Sequence, residues 1–281
     1  MDEATLKNLR KIQLLQLDIA KAVKELCLAN DIPFFLIGGT LLGAVRHKGF
    51  IPWDDDLDIG MQRADYERFL IVAQKQLNSK KFFLETWNTE KNYGFPFAKI
   101  KLNGTKNPEP NAPSSIHQGI FIDVFPIDVA APTKRKGFVH LAVFQVLYKC
   151  FLYKKGYVPR ILYNKKSNAK FFLARIIGLV AKIIPDSVLK TLITKSLTFY
   201  DKSSNEFTVN LLGAYGYKEI CSRKGVAETT LLPFEDSDFP VPIGYKEYLS
   251  NMYGDYMQLP PENKRYNRHG NYDSVDFGEY A

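Results

Sequence analysis

The chain has 281 residues, 46% hydrophobic and 24% charged, a globular composition that excludes disordered and fibrous classes. Its three cysteines, Cys27, Cys150 and Cys221, are too few and too scattered for a disulfide framework or a CxxC metal pair, and no stretch reaches the ~20 apolar residues of a spanning helix. The net charge of +8 is concentrated, with fifteen Lys/Arg against only Asp186 and Asp201 between residues 134 and 202, which leaves the remainder at −5.

Leu6, Leu9, Ile12, Leu15, Ile19, Val23 and Leu26 recur at three- and four-residue spacing and predict a long amphipathic helix that Asn30-Asp31 ends. Residues 34–37 form a short apolar run, read as a buried strand entering a turn at Gly38-Gly39, and Thr40 is placed to N-cap a short helix through Val45. Residues 57–61 read as a strand, 65–77 as a helix, and 82–86, 95–102 and 120–125 as further strands. Residues 103–118 hold three prolines and little periodicity, so they read as a loop. The pattern from 134 to 201 is helical, in about three helices. One more helix is expected over 245–252, before a polar, aromatic tail with Pro260-Pro261. These elements predict an α/β (α+β) protein, a mixed sheet flanked by helices. Its expected units are a catalytic core over 1–133, a basic helical segment over 134–205, and a C-terminal portion over 206–281 that packs back on the core. The N-terminus lacks the apolar stretch of a signal peptide, so the expected location is cytoplasmic.

The densest chemistry is Asp54-Asp55-Asp56-Leu57-Asp58. On an extended segment Asp54, Asp56 and Asp58 share one face, and Leu57 and Ile59 the other. Carboxylates so close repel one another unless a hard cation neutralises them, and oxygen ligands suit Mg²⁺ or Mn²⁺. A solvated acidic turn explains the charge but not the flanking Ile51, Trp53, Leu57 and Ile59. An EF-hand requires glycine and glutamate where Ile59 and Asp65 stand. An Asp-x-Asp metal site of a sugar-nucleotide glycosyltransferase stays open. The upstream Gly38-Gly39-Thr40 favours phosphoryl or nucleotidyl transfer, because glycines at a helix start let backbone N–H groups approach a phosphate. Arg46, His47 and Lys48 between the two elements are either a solvated basic loop or a charge clamp. Asp123, a lone acid in the apolar run 120–125, is a third carboxylate that acts as ligand or general base, with Asp128 as a weaker substitute. His117 and Gln118, just before that run, are placed to meet substrate.

The block from Gly38 to Gly60 resembles the signature of the LicD family of phosphocholine transferases, to which fukutin-type phosphoribitol transferases are related. The likeness continues through Asp65-Tyr66, Lys99, the segment from Ile122 to Asp128, the stretch from Tyr253 to Pro261, and His269. The resemblance implies a nucleotidyltransferase-like fold and Mg²⁺ dependence. It further implies transfer of phosphocholine from CDP-choline to a sugar hydroxyl of a cell-surface glycan precursor of teichoic acid or lipopolysaccharide type. On that basis Gly38, Gly39 and Thr40 hold the donor phosphates, Asp56 and Asp58 ligate metal, Asp54 supports them, and Asp123 is the third carboxylate. Lys99 and Arg46 would bind phosphate, and Tyr248, Tyr253 and Tyr256 offer aromatic faces for a choline headgroup. Other CDP-alcohols (ribitol, glycerol, ethanolamine), nucleotidyl transfer to a small acceptor, and a non-enzymatic metal-binding regulatory module remain as alternatives. The basic segment suits an anionic membrane surface at the inner face or a lipid-linked glycan, and no nucleic-acid motif accompanies its charge.

Overall fold

The computed structural model describes residues 3–158, 168–266 and 272–281. In chain order the elements are α1 (Glu3–Ala29), β1 (Phe35–Leu36), α2 (Gly38–His47), β2 (Asp58–Gln62), α3 (Arg63–Gln76), β3 (Phe82–Glu85), β4 (Ala98–Leu102) and β5 (Phe121–Val129). There follow α4 (Lys134–Lys154), α5 (Asn168–Ala181), α6 (Asp186–Leu197), β6 (Phe207–Val209), β7 (Ile220–Ser222), α7 (Arg223–Ala227), β8 (Thr229–Phe234), β9 (Ser237–Pro242) and α8 (Tyr245–Tyr253). The fold is α+β, as the order of predicted elements implies.

Among the described residues seven strands form one mixed sheet. Five run in the order β1-β2-β5-β4-β3; β6 pairs with the far end of β5, and β7 with β6. Only β2 and β5 are parallel. Their register sets Asp58 beside Asp123, and the antiparallel β4 sets Lys99 on Asp123's other side. The neighbouring residues Ile59, Val124 and Ile100 point the other way and are fully buried. One face of this row is therefore apolar core and the other carries charge.

β5 runs past Pro126, where the sequence suggested an end. Pro126 lacks an N–H, and the geometry tolerates it. The Asp123 N–H bonds Leu57 on the β2 side, so by alternation the nitrogen of Pro126 faces away from β2. There β4 has already ended at Ala98 and β6 begins only opposite Asp128.

α1 buries Leu9, Ile12, Ile19 and Val23 as its periodicity requires, each worth roughly 1.5–3 kcal/mol. Leu6 and Leu28 instead stay exposed. Two polar residues within the buried stripe, Gln13 and Gln16, reach the acidic loop. Among the described residues the helices of 134–201 number three. Phe144 and Phe151 of α4 and Leu189, Ile193 and Leu197 of α6 form a second core with Ala130, Val209 and Leu211. The C-terminal part meets the main core through Phe234, Phe239, Val241, Tyr248 and Leu249.

Candidate active site

The site begins where β1 hands over to α2. Ile37 N–H bonds the Asp58 carbonyl at 3.2 Å, and Gly38 adopts φ +58°, the left-handed conformation glycine accepts without strain. The N-cap is Ile37, which has no side chain to cap the helix. Thr40 lies inside the helix instead, and its hydroxyl accepts from the Asp58 N–H at 2.8 Å. This bond ties the first turn of α2 to the head of β2. A Cβ on Gly39 would stand 2.8 Å from Asp54 Oδ2, and one on Gly38 3.0 Å from Asp58 Oδ2. The two glycines let carboxylates lie directly against the positive end of the helix dipole.

Asp54–Asp56 precede the strand, so the alternation expected of an extended segment does not apply to them. A turn closes from Asp54 N–H to the Ile51 carbonyl, and Asp55 joins Asp54 and Asp56 rather than facing away. Carboxylate oxygens of the three lie within 4.8 Å of one another. Asp58 follows on the strand, its pKa raised well above the ordinary carboxylate value by burial first, then by Asp56, Asp123 and Asp54. Asp123 is pushed up to about 6, mainly by burial, with Lys99 opposing. A crowded set of hard oxygen donors, two of them held reluctantly as anions, fits a divalent cation of the Mg²⁺ or Mn²⁺ kind.

Lys99 is 3% exposed. Its Nζ stands 3.1 Å from both Asp123 Oδ1 and Glu109 Oε2, over the Phe121 ring. Lys101 continues the chain of charges to Glu109 at 3.4 Å and Glu85 at 2.8 Å. Five side chains of alternating sign thus run under the loop that carries Glu109 and end at Asp123. Burial raises Glu85 to about 7, while the two lysines hold Glu109 below its usual range. Asp128 is absorbed elsewhere in a two-pronged pair with Arg63, both bonds 2.7 Å.

The C-terminal portion closes the opposite side. Tyr253 lies near Asp54 and Asp58, edge-on to Tyr215, and burial raises its pKa. Arg46 donates to the carbonyls of Tyr256 (2.9 Å) and Gln258 (3.3 Å), so it anchors this segment, while the Tyr256 ring packs on the main core. Arg265 lies over Trp53 at 5.9 Å and lowers the pKa of Arg46, after burial. His117 is not brought to this cluster. It stacks on Phe83 of β3, three strands from β2, and its ring bonds Asn103 Oδ1 and Gly119 N–H. The neighbouring Gln118 donates to carbonyls of its own loop. His269 lies outside the described residues.

Other contributors carried little or no signal in the sequence. Gln13 Nε2 donates to the Asp54 carbonyl at 2.8 Å. Gln16 Nε2 donates to those of Asp55 (2.5 Å) and Phe121 (3.0 Å). Two glutamines three residues apart inside an apolar stripe were the available clue. Glu219 sits behind Asp58, raised to about 7 by burial and held by Asn210, the Tyr215 N–H and Tyr248. Tyr272 lies against Asp55. The sequence around Glu219 and Tyr272 gives no hint of either role.

Backbone and carboxylates are arranged around one pole of α2, and the relatives of the chain define its class as a phosphotransferase. Residues 31–135 match the family described as LicD/FKTN/FKRP, nucleotidyltransferase domain. The lipopolysaccharide cholinephosphotransferase LicD of Haemophilus influenzae is 30% identical over 272 residues, covering 91% of this chain and 93% of that protein. The ribitol-5-phosphate transferase FKTN of Mus musculus is 42% identical over 64 residues, 23% of this chain and 13% of that protein. The human ribitol 5-phosphate transferase FKRP is 42% identical over 48 residues, 17% and 10% respectively. The chain belongs to the LicD family.

Proposed function

We propose that the chain transfers phosphocholine from CDP-choline to a sugar hydroxyl of a cell-surface glycan precursor, of lipopolysaccharide or teichoic acid type, and releases CMP. The observation that carries this reading is the near full-length similarity to a lipopolysaccharide cholinephosphotransferase. The carboxylates packed against the glycine-opened end of α2 support it. Asp54, Asp56, Asp58 and Asp123 would hold Mg²⁺ or Mn²⁺, with Asp55 close enough to join them. The ion supplies neutralisation of charge on the donor phosphates.

The chain's own residues do the rest. N–H groups of the first turn of α2, from Gly38 to Thr40, orient a donor phosphate. The acceptor oxygen forms a bond to the phosphorus bearing the alcohol as the bond to CMP breaks. Where Asp123 does not ligate the ion, it takes the hydroxyl proton. Lys99 holds Asp123 in place and reaches no phosphate itself, because its ammonium is already shared between Glu109 and Asp123. Tyr253, beside Asp54 and Asp58, and Tyr256, both only partly buried, offer rings to a quaternary ammonium.

A second reading substitutes another CDP-alcohol such as CDP-ribitol, favoured by the local likeness to ribitol-phosphate transferases. Incubation with Mg²⁺, a glycan acceptor and either CDP-choline or CDP-ribitol separates the two by which donor yields CMP and a phosphodiester on the glycan. Pyrophosphate release from a nucleoside triphosphate would support nucleotidyl transfer instead. No turnover with any donor would leave a metal-binding module.

A further inference from the structure

We propose that the outer face of α4 and α5 is a docking surface for an anionic lipid bilayer. α4 turns Gly137, His140, Phe144 and Phe151 inward. Its opposite face should be polar if water covered it. Instead Phe138, Val139, Val143 and Val146 fall on one side of the helix, all exposed, Phe138 by 75% and Val146 by 64%. Arg135 and Lys149 fall on that same side at either end, both exposed.

The same inversion occurs on α5. Ala174, Gly178 and Ala181 are buried, and Gly178 packs so closely that a Cβ would stand 2.6 Å from the Tyr153 carbonyl of α4. The outward stripe is Phe172, Ile176, Leu179 and Val180, and it continues into Ile183, 83% exposed. Two neighbouring helices, packed on each other through small residues, therefore both present large apolar side chains to solvent. So much apolar surface on one face is a mark of an interaction site.

Charge selects the occupant. Lys134, Lys136, Arg175 and Lys182 are exposed around these stripes. The two acids of the segment are both engaged: Asp186 pairs with Lys154 and Lys155, and Asp201 accepts from the Val129 N–H. A second copy docking through this face would set cations against cations. A bilayer with anionic headgroups satisfies both features, since apolar side chains enter the acyl boundary while lysine and arginine reach back to the phosphates. Among the described residues no helix is long and apolar enough to cross the membrane, so the contact is one of lying on the surface. Docking on a bilayer fixes where the protein works, whichever donor it uses.

Vesicle flotation of the full chain tests it, with phosphatidylcholine vesicles and with phosphatidylcholine–phosphatidylglycerol vesicles. Wild type should float with the second and not the first, less so at high salt. The double variant Phe138→Ser/Val146→Ser should lose about tenfold or more in partitioning. Arg135→Glu/Lys149→Glu should lose binding to phosphatidylglycerol to a similar degree. Both should keep the wild-type circular dichroism melt, since all four side chains are exposed or lie at the helix ends. Absence of flotation with either vesicle overturns the proposal, as does binding that neither variant weakens. A wild-type dimer in solution that Phe138→Ser/Val146→Ser converts to monomer also overturns it, and assigns the face to self-association.

Discussion

Replacing Lys99 by methionine keeps most of the length of the side chain and removes its charge. In the wild type the ammonium serves Asp123 and Glu109 at 3.1 Å each. At an effective dielectric constant of ~20 each contact is worth roughly 5 kcal/mol of attraction before desolvation is subtracted. Glu109 keeps Lys101 at 3.4 Å, whereas Asp123 is left beside Asp58 and Asp56. Breaking a buried pair from one side typically costs ~3–5 kcal/mol, and that is the loss expected at pH 8. The loss should shrink at pH 5. Asp123 already has a folded pKa of about 6, above the ~3.9 of an unfolded aspartate. A carboxyl raised on folding holds its proton longer in the folded state, so stability falls as pH rises from the unfolded value to the folded one. Removing the lysine raises Asp123 further and extends that fall to higher pH, while at low pH the acid is neutral in both proteins. Urea unfolding at both pH values, followed by far-ultraviolet circular dichroism, measures the difference. A loss below about 1 kcal/mol at pH 8, the scale of a surface pair, or one equal at both pH values, would refute the account of a buried charge chain.

Asp56→Asn should abolish CMP release yet leave the urea midpoint of the cation-free protein equal or higher, because Asp56 is the strongest charged neighbour raising Asp58; a wild-type rate would sink the metal assignment. Gly39→Ala places a methyl 2.8 Å from Asp54 Oδ2 and should weaken Mg²⁺ binding by about tenfold in calorimetry with only a small change in melting temperature, an effect of about 1.4 kcal/mol. Unaltered affinity would show that Asp54 does not need its present position. With Glu85 and Glu219 both raised to about 7, wild-type stability without added cation should decline as pH rises through the interval between ~4.3 and that value. Chemical denaturation across a pH series reads this directly, and Glu219→Gln should flatten part of the slope. A flat wild-type profile counts against the burial of these acids.

Where the sequence was legible, the physics was local. The stripe of α1 and the long acidic block stand out because spacing and charge density are visible along the chain. Asp123 was legible as a charge in an apolar run, and the parallel register then sets it beside Asp58. The extended reading of Asp54–Asp58 failed for residues 54–56 because the strand starts only at Asp58, a boundary that tertiary pairing decides. Thr40 looked like a cap by residue type, yet its hydroxyl serves a strand 18 positions away. Lys99 and Arg46 read as phosphate binders, and the fold engages one with buried carboxylates and the other with backbone carbonyls. Glu109 and Glu219 were invisible for the same reason: their roles depend on partners that only the folded loop and the sheet bring near.

Gln16 shows what such long-range contacts decide. One amide nitrogen reaches both the Asp55 carbonyl, in the acidic loop, and the Phe121 carbonyl, at the root of the strand that carries Asp123. The two halves of the carboxylate set arrive from segments 60 residues or more apart in sequence; strand pairing sets Asp58 beside Asp123, and a neutral side chain on α1 ties the loop of Asp54–Asp56 to the same strand. Part of the site's geometry is thus held by a residue that carries no charge of its own. Transplanting the acidic loop with β2 and β5 into another scaffold without this helix would carry over the carboxylates of loop and strands and lose the tie that holds the loop to β5.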